Sequence, residues 1–377
     1  MKNISTIVLT AILFIAMNGV QASDDFVTIA AIFQKTGEGV HSYEEIGIPE
    51  LRGARYAIDE INQSGGVLGK KLKLIEYDNK SSAIGSKKVA LQVAKTDAIA
   101  VIGAAWSSHS LAMAPVLQEA KIPMITPVST NPDVTLVGDY IFRICFIDPF
   151  QGTVMANFAM LDLNAKTAVI FTNTSEKYCI ELAQCFSDHF KKKGGKVLWE
   201  ADYNTETSNF SLLLKKMKSL QPDVVFLPGT NRDSGFIIKQ ARKMGVTIPF
   251  LGGDAWNEEM YKYGDKDIEG SYFSSHWHLQ SSNEKSKQFV ENYQKKMGSF
   301  CEAEIPLAYD AVMLLADAIK RANSFQRSKI RDALAATTKF QGTTGNINFD
   351  KNRNPVKSAV IRKFENGKTV YLKTIEP

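Results

Sequence analysis

The chain has 377 residues, carries 45 Lys and Arg against 40 Asp and Glu, and so has a net charge of +5. That length exceeds one ordinary domain and suits two. The small, scattered basic excess argues against a nucleic-acid surface, and its one run, Lys191-Lys-Lys193, falls at an expected helix end, where cations suit the dipole. Residues 1–22 read as a secretory leader: Met1-Lys2, an apolar stretch over 7–17, and Val20-Gln21-Ala22 as the cleavage signal before Ser23. No Cys follows to take a lipid anchor, and no later stretch is apolar enough to span a bilayer, so a soluble exported protein is expected. Strands and helices then alternate. Strands are expected over 26–33, 71–78, 98–103 and 123–125, with helices over 49–64, 82–95 and 109–121. These four strand–helix units imply a mostly parallel sheet with right-handed crossovers. A second series has strands over 167–171, 196–199, 223–227 and 249–251, with helices over 176–193, 209–220 and 233–244. Helices over 283–297, 304–322 and 328–336 follow. The last elements are two strands, over 359–364 and 369–372, joined by Asn366-Gly367, a hairpin signal. The expected fold class is α/β, with two similar lobes.

Two strand ends deliver hydroxyls to one place. The run over 98–103 stops at Ala104-Ala-Trp106-Ser107-Ser108, and the run over 123–125 stops at Thr126-Pro127-Val128-Ser129-Thr130. In a parallel sheet these ends share an edge, where ligands bind, and Ser107 and Ser108 open a helix whose N-terminus favours an anion. A small carboxylate fits that chemistry. Catalysis is not expected: Ser107 lies in no Gly-x-Ser-x-Gly elbow, and Gly37-Glu-Gly39 lacks the third glycine of a dinucleotide fingerprint. No catalytic residue, cofactor or metal is therefore assigned. Asp254, in Gly252-Gly253-Asp254, reads equally as an ammonium partner facing the cleft or as a turn residue bonded to its own backbone. Trp106 and Trp256 flank the expected site. His276-Trp277-His278 places two imidazoles on one face of an expected strand, but with no third ligand in view a structural role is favoured. Cys145, Cys179, Cys185 and Cys301 leave pairing open, with Cys179 and Cys185 facing different sides of one helix.

The runs Gly53-Ala-Arg-Tyr-Ala-Ile-Asp-Glu-Ile-Asn62, Gly65-Gly-Val-Leu-Gly-Lys-Lys-Leu-Lys-Leu-Ile-Glu-Tyr-Asp78, Ile122-Pro-Met-Ile-Thr-Pro127 and Tyr309-Asp-Ala-Val-Met-Leu-Leu-Ala-Asp-Ala-Ile319 resemble the leucine/isoleucine/valine-binding proteins. These are type I periplasmic solute-binding proteins of ABC transporters. The resemblance implies two Rossmann-like lobes joined by three crossings near 145–150, 275–281 and 350–357. Lobe 1 would comprise 23–147 and 280–352, and lobe 2 would comprise 148–279 and 353–377. The family's carboxylate-binding serine falls on Ser107, the carbonyl and threonine that hold the amino-acid backbone on Val128 and Thr130, its second-lobe tyrosine on Tyr178, and its acidic ammonium partner on Asp254. Thr230 stands where leucine binders often carry an aromatic ring. Trp106 stands where they carry a half-cystine, with no partner Cys near Ser81. The implied function is a periplasmic receptor, a monomer without nucleic-acid partners, that closes over a small amino acid and docks on an ABC permease. The alternative is a sensing protein for an amide, urea-like or aromatic carboxylate solute, partnered with a signalling receptor.

Overall fold

The computed structural model describes residues 26–37, 48–280, 284–298 and 302–377; the expected leader and Cys301 lie outside them. Strands β1 (Phe26–Phe33), β2 (Lys71–Asp78), β3 (Ala100–Gly103), β4 (Met124–Thr126) and β5 (Ile141–Arg143) form one sheet in the order β2-β1-β3-β4-β5. Every neighbouring pair in it is parallel. Ile29 to Phe33 have no exposed surface. Ile29, Ala31 and Phe33 join the core beneath the helices Pro49–Gln63 and Glu304–Ala322, and Ala30 and Ile32 join the opposite core, beneath Ala83–Val93 and Ser107–Glu119. A strand covered on both faces needs such an unbroken apolar run.

The second sheet contains β6 (Thr167–Asn173), β7 (Lys196–Tyr203), β8 (Val224–Phe226), β9 (Phe250–Gly252) and β10 (Tyr272–Ser275), all parallel. A separate ladder pairs β11 (Phe340–Gly342) with β12 (Gly345–Ile347). The hairpin β13 (Ala359–Glu365) and β14 (Lys368–Ile375) then closes the second sheet antiparallel, in the order β14-β13-β10-β9-β8-β6-β7. Its two loop residues, Asn366 and Gly367, both have left-handed φ, 54° and 77°, as a tight hairpin turn requires.

The chain passes between the two lobes three times: between β5 and β6, between β10 and the helix Glu284–Met297, and between β12 and β13. The helix Glu284–Met297 and those after it pack on the first sheet, through Phe289, Tyr293 and Leu315 among others. Three of the differences from expectation bear on the crossings and the site. The first sheet has a fifth strand, β5, which ends in the fully buried Arg143. The helix Asp148–Asn157, continued by a π-helical turn over Phe158–Asp162, carries the first crossing into the second lobe. The strand before His276 is β10, which stops at Ser275, so His276-Trp277-His278 lies beyond it. Short strands with few apolar residues carry too little periodicity to announce themselves.

Candidate functional site

The carboxyl ends of β3 and β4 lie side by side on the first lobe. Trp106 is the N-cap of the helix Ser107–Glu119 and offers no side-chain cap, so Ser107 and Ser108 occupy its first turn, two residues earlier than expected. The free N–H groups of a first helical turn suit an anion, and Trp106, Ser107 and His109 line the cleft between the lobes. The Ser107 hydroxyl, almost fully buried, accepts from the Asn131 N–H at 3.2 Å. After β4 the loop holds Val128 and Thr130 on the cleft wall. Ser129 turns inward instead. Its hydroxyl lies 2.7 Å from Ser110 Oγ and donates to the Ala105 carbonyl at 2.8 Å, while Thr126 donates to the Ala104 carbonyl at 2.6 Å. These hydroxyls tie the two strand ends together, and Arg143 donates to the Ser129 and Asn131 carbonyls from below. Ser129 is thus a structural tie, a correction to its expected place on the cleft surface.

The second lobe supplies the facing wall. Asp254 follows β9 and is nine-tenths buried. Gln151 Nε2 donates to its Oδ1 at 2.6 Å, and His276 Nε2 lies 2.7 Å from its Oδ2. Burial holds the His276 pKa down against the pull of Asp254, so the neutral ring donates through Nε2. The backbone N–H of Asp254 bonds to Gln151 Oε1, so its side chain is held by neighbours and not folded back on its own turn. Gly253 makes this possible: a Cβ there would sit 2.2 Å from the Tyr178 hydroxyl and 2.3 Å from Gln151 Oε1. Tyr178 accepts from the Ala255 N–H at 3.4 Å. Thr230 caps the helix Asn231–Lys243, and its hydroxyl donates to Asp233 Oδ1 at 2.6 Å.

The walls enclose a cleft of about 610 Å³ that brings together Trp106, Ser107, Val128, Thr130, Tyr178, Thr230 and Asp254. Ser108 does not line it; its hydroxyl crosses between the lobes to Glu176 Oε2 at 2.8 Å. Trp106 meets Tyr178 edge-on across the same gap, ring centroids 6.4 Å apart. Trp256 is core: its indole donates to Ser234 at 3.0 Å and packs on Phe273 and Phe364. His278 stacks on Tyr371, away from His276. Among the described residues Cys145, Cys179 and Cys185 are free thiols. Sequence reasoning missed Gln151, Glu50 and Glu304, and named His276 without placing it at Asp254. A His at the second crossing was the one visible signal for the Asp254 network.

A family model described as periplasmic binding protein matches residues 27–368. The leucine-, isoleucine-, valine-, threonine- and alanine-binding protein of Pseudomonas aeruginosa is 26% identical over 309 residues, 81% of this chain and 82% of that protein. The crystal structure of a leucine binding protein, LivK, from Thermotoga maritima is 36% identical with a TM-score of 0.87, covering 93% of this chain and 99% of that one. LivJ from Streptococcus pneumoniae, in complex with isoleucine, is 31% identical with a TM-score of 0.86, covering 93% and 100%. A benzoate complex from R. palustris, 22% identical with a TM-score of 0.80 over 93% and 96%, shares the fold. This chain belongs to the periplasmic binding protein family, in its type I, leucine/isoleucine/valine-binding branch.

Proposed function

We propose that the protein is the periplasmic substrate-binding component of an ABC importer, capturing a small amino acid by lobe closure and delivering it to a membrane permease. One observation carries this reading: a helix N-terminus with Ser107 and Thr130 faces the Asp254 carboxylate across a single cleft. That pairing complements a zwitterion, carboxylate toward the helix and ammonium toward Asp254. The relatives that bind branched-chain amino acids support the ligand class. Removal of residues 1–22 on export, and lobes composed of 23–147 with 280–352 and 148–279 with 353–377, belong to the same reading. Closure then moves two bodies about three crossings, with the ligand bridging both.

Calorimetry of the purified protein against the twenty amino acids tests it. Heat with at least one is expected; no heat and no thermal shift with any of them overturns the assignment. A plain carboxylate, such as the benzoate in the R. palustris relative, would need only the Ser107 side and would bind equally well after Asp254→Ala.

A further inference from the structure

The cleft wall opposite Asp254 is built from two helix N-termini. The helices Pro49–Gln63 and Glu304–Ala322 approach so closely that a Cβ on Gly53 would lie 2.1 Å from the Ile305 carbonyl oxygen. That contact sets Glu50 and Glu304, each in a first helical turn, together on the wall of the same cleft as Ser107 and Asp254. Glu50 is 5% exposed. Neither carboxylate has an ion-pair partner among the described residues. The flanking stretches 38–47 and 299–301 contain no Lys or Arg in the sequence. Arg52, on the same helix as Glu50, reaches Glu302 instead, at 3.8 Å. Two acceptors at this wall, Glu304 Oε2 and Gln34 Oε1, are buried without a donor. Burial, and then the charge of Glu302, push the Glu50 carboxyl up to about 7. Burial, and then the charge of Glu50, push Glu304 up to about 8, with Arg362 opposing only weakly.

Apart from the exposed Glu206, the other acids of the cleft are already engaged, Glu259 by Lys262 among them. Asp254 takes Gln151 and His276, Asp233 takes Thr230, Asn173 and Tyr203, and Glu176 takes Ser108. Arg232 is the one Lys or Arg among the described lining residues. Gln34 already bonds Glu50, but an apolar side chain here would leave Glu304 Oε2 buried and unpaired, which is costly. A cation would supply both the donors and the charge.

We propose that the cleft selects an amino acid whose side chain ends in a cation, an ammonium or a guanidinium, held between Glu50 and Glu304. This rests on the amino-acid reading above and names its substrate class. The ligand cation ionises the pair, so binding near neutral pH releases protons to the solvent.

Calorimetry with L-lysine, L-arginine, L-leucine and L-norleucine, in two buffers of different ionisation enthalpy, tests it on the full chain. Norleucine keeps the straight carbon chain and lacks the cation. Lysine or arginine should bind roughly tenfold or more tighter than norleucine. Binding should release about one proton. Glu304→Gln should bring lysine and norleucine within a factor of about three. Leucine or norleucine binding as tightly as lysine, or no proton release, overturns this inference and leaves the amino-acid reading standing. No binding of any of the twenty amino acids overturns both. The wild-type contrast between lysine and norleucine needs no variant, so it holds even if Glu304→Gln fails to fold.

Discussion

On the second-lobe wall, Asp254 and Asp233 meet a donor at every carboxylate oxygen. On the first-lobe wall, Glu50 is as deeply buried and Glu304 half-buried, and the loss of water has driven their carboxyls up to about 7 and about 8. The same functional group serves two purposes. Where the fold supplies Gln151 and His276, a carboxylate is aimed and fixed. Where the fold supplies helix N-termini, a second acid and, for Glu50 alone, the Gln34 amide, Glu304 Oε2 is left without a donor.

The contrast breaks first at Asp254. Asp254→Ala should weaken binding of the ligand by about 2–5 kcal/mol, two orders of magnitude or more, because an ammonium would be left buried and unpaired. Equal affinity would remove the ammonium assignment. Next in size is the pH dependence of the opposite wall. The folded carboxyls of Glu50 and Glu304 are raised above the unfolded value of 4.5, so the native state holds protons that the unfolded chain has lost. Stability should therefore fall as pH rises from about 5 to 8, by an amount on the order of 2–3 kcal/mol. Thermal melts of Glu50→Gln/Glu304→Gln against the parent isolate the effect, since the buried neutral His109, held down to about 4, works in the opposite direction in both proteins. A parent and variant with parallel melting profiles would contradict it.

His276→Phe removes a donor from Asp254 and should cost about 1–2 kcal/mol of affinity. His276→Gln, whose amide can reach the same oxygen, should recover most of it. A merely structural role would show as a lower melting temperature without that rescue. The smallest effect is expected at the rim: Ser108→Ala deletes the hydroxyl that bridges to Glu176, worth about 0.5–1 kcal/mol. Because this bond joins the lobes, a change in melting temperature with no change in ligand affinity would count against its part in closure.

Much of the scaffold was legible: β1, a continuous apolar run as a buried parallel strand must be, and β2, an alternating edge strand, lie where expected, and the Asn366-Gly367 hairpin turns as its residues require. The strand ends carrying Ser107, Thr130 and Asp254 followed from topology. Ser129 did not, because a serine next to a binding residue looks the same whether its hydroxyl turns outward or ties its loop to the Ala104 and Ala105 carbonyls. Glu50 and Glu304 were illegible for another reason. Each reads alone as an acid in a first helical turn, where it suits the dipole. Only the contact of Gly53 with Ile305, far apart in the chain, puts them at one wall.

The strand order has a consequence for synthesis. β13 pairs onto β10 and β14 onto β13 to complete the second sheet, and the helix Glu304–Ala322 must return to cover β1 of the first. Neither core can close on a nascent chain that has not yet reached these segments. Contacts of such long sequence separation are slow to form. A nascent chain therefore leaves Ile29 and Phe33 without the cover of Glu304–Ala322 until that helix is made, and Phe273 without Phe364 until β13 follows.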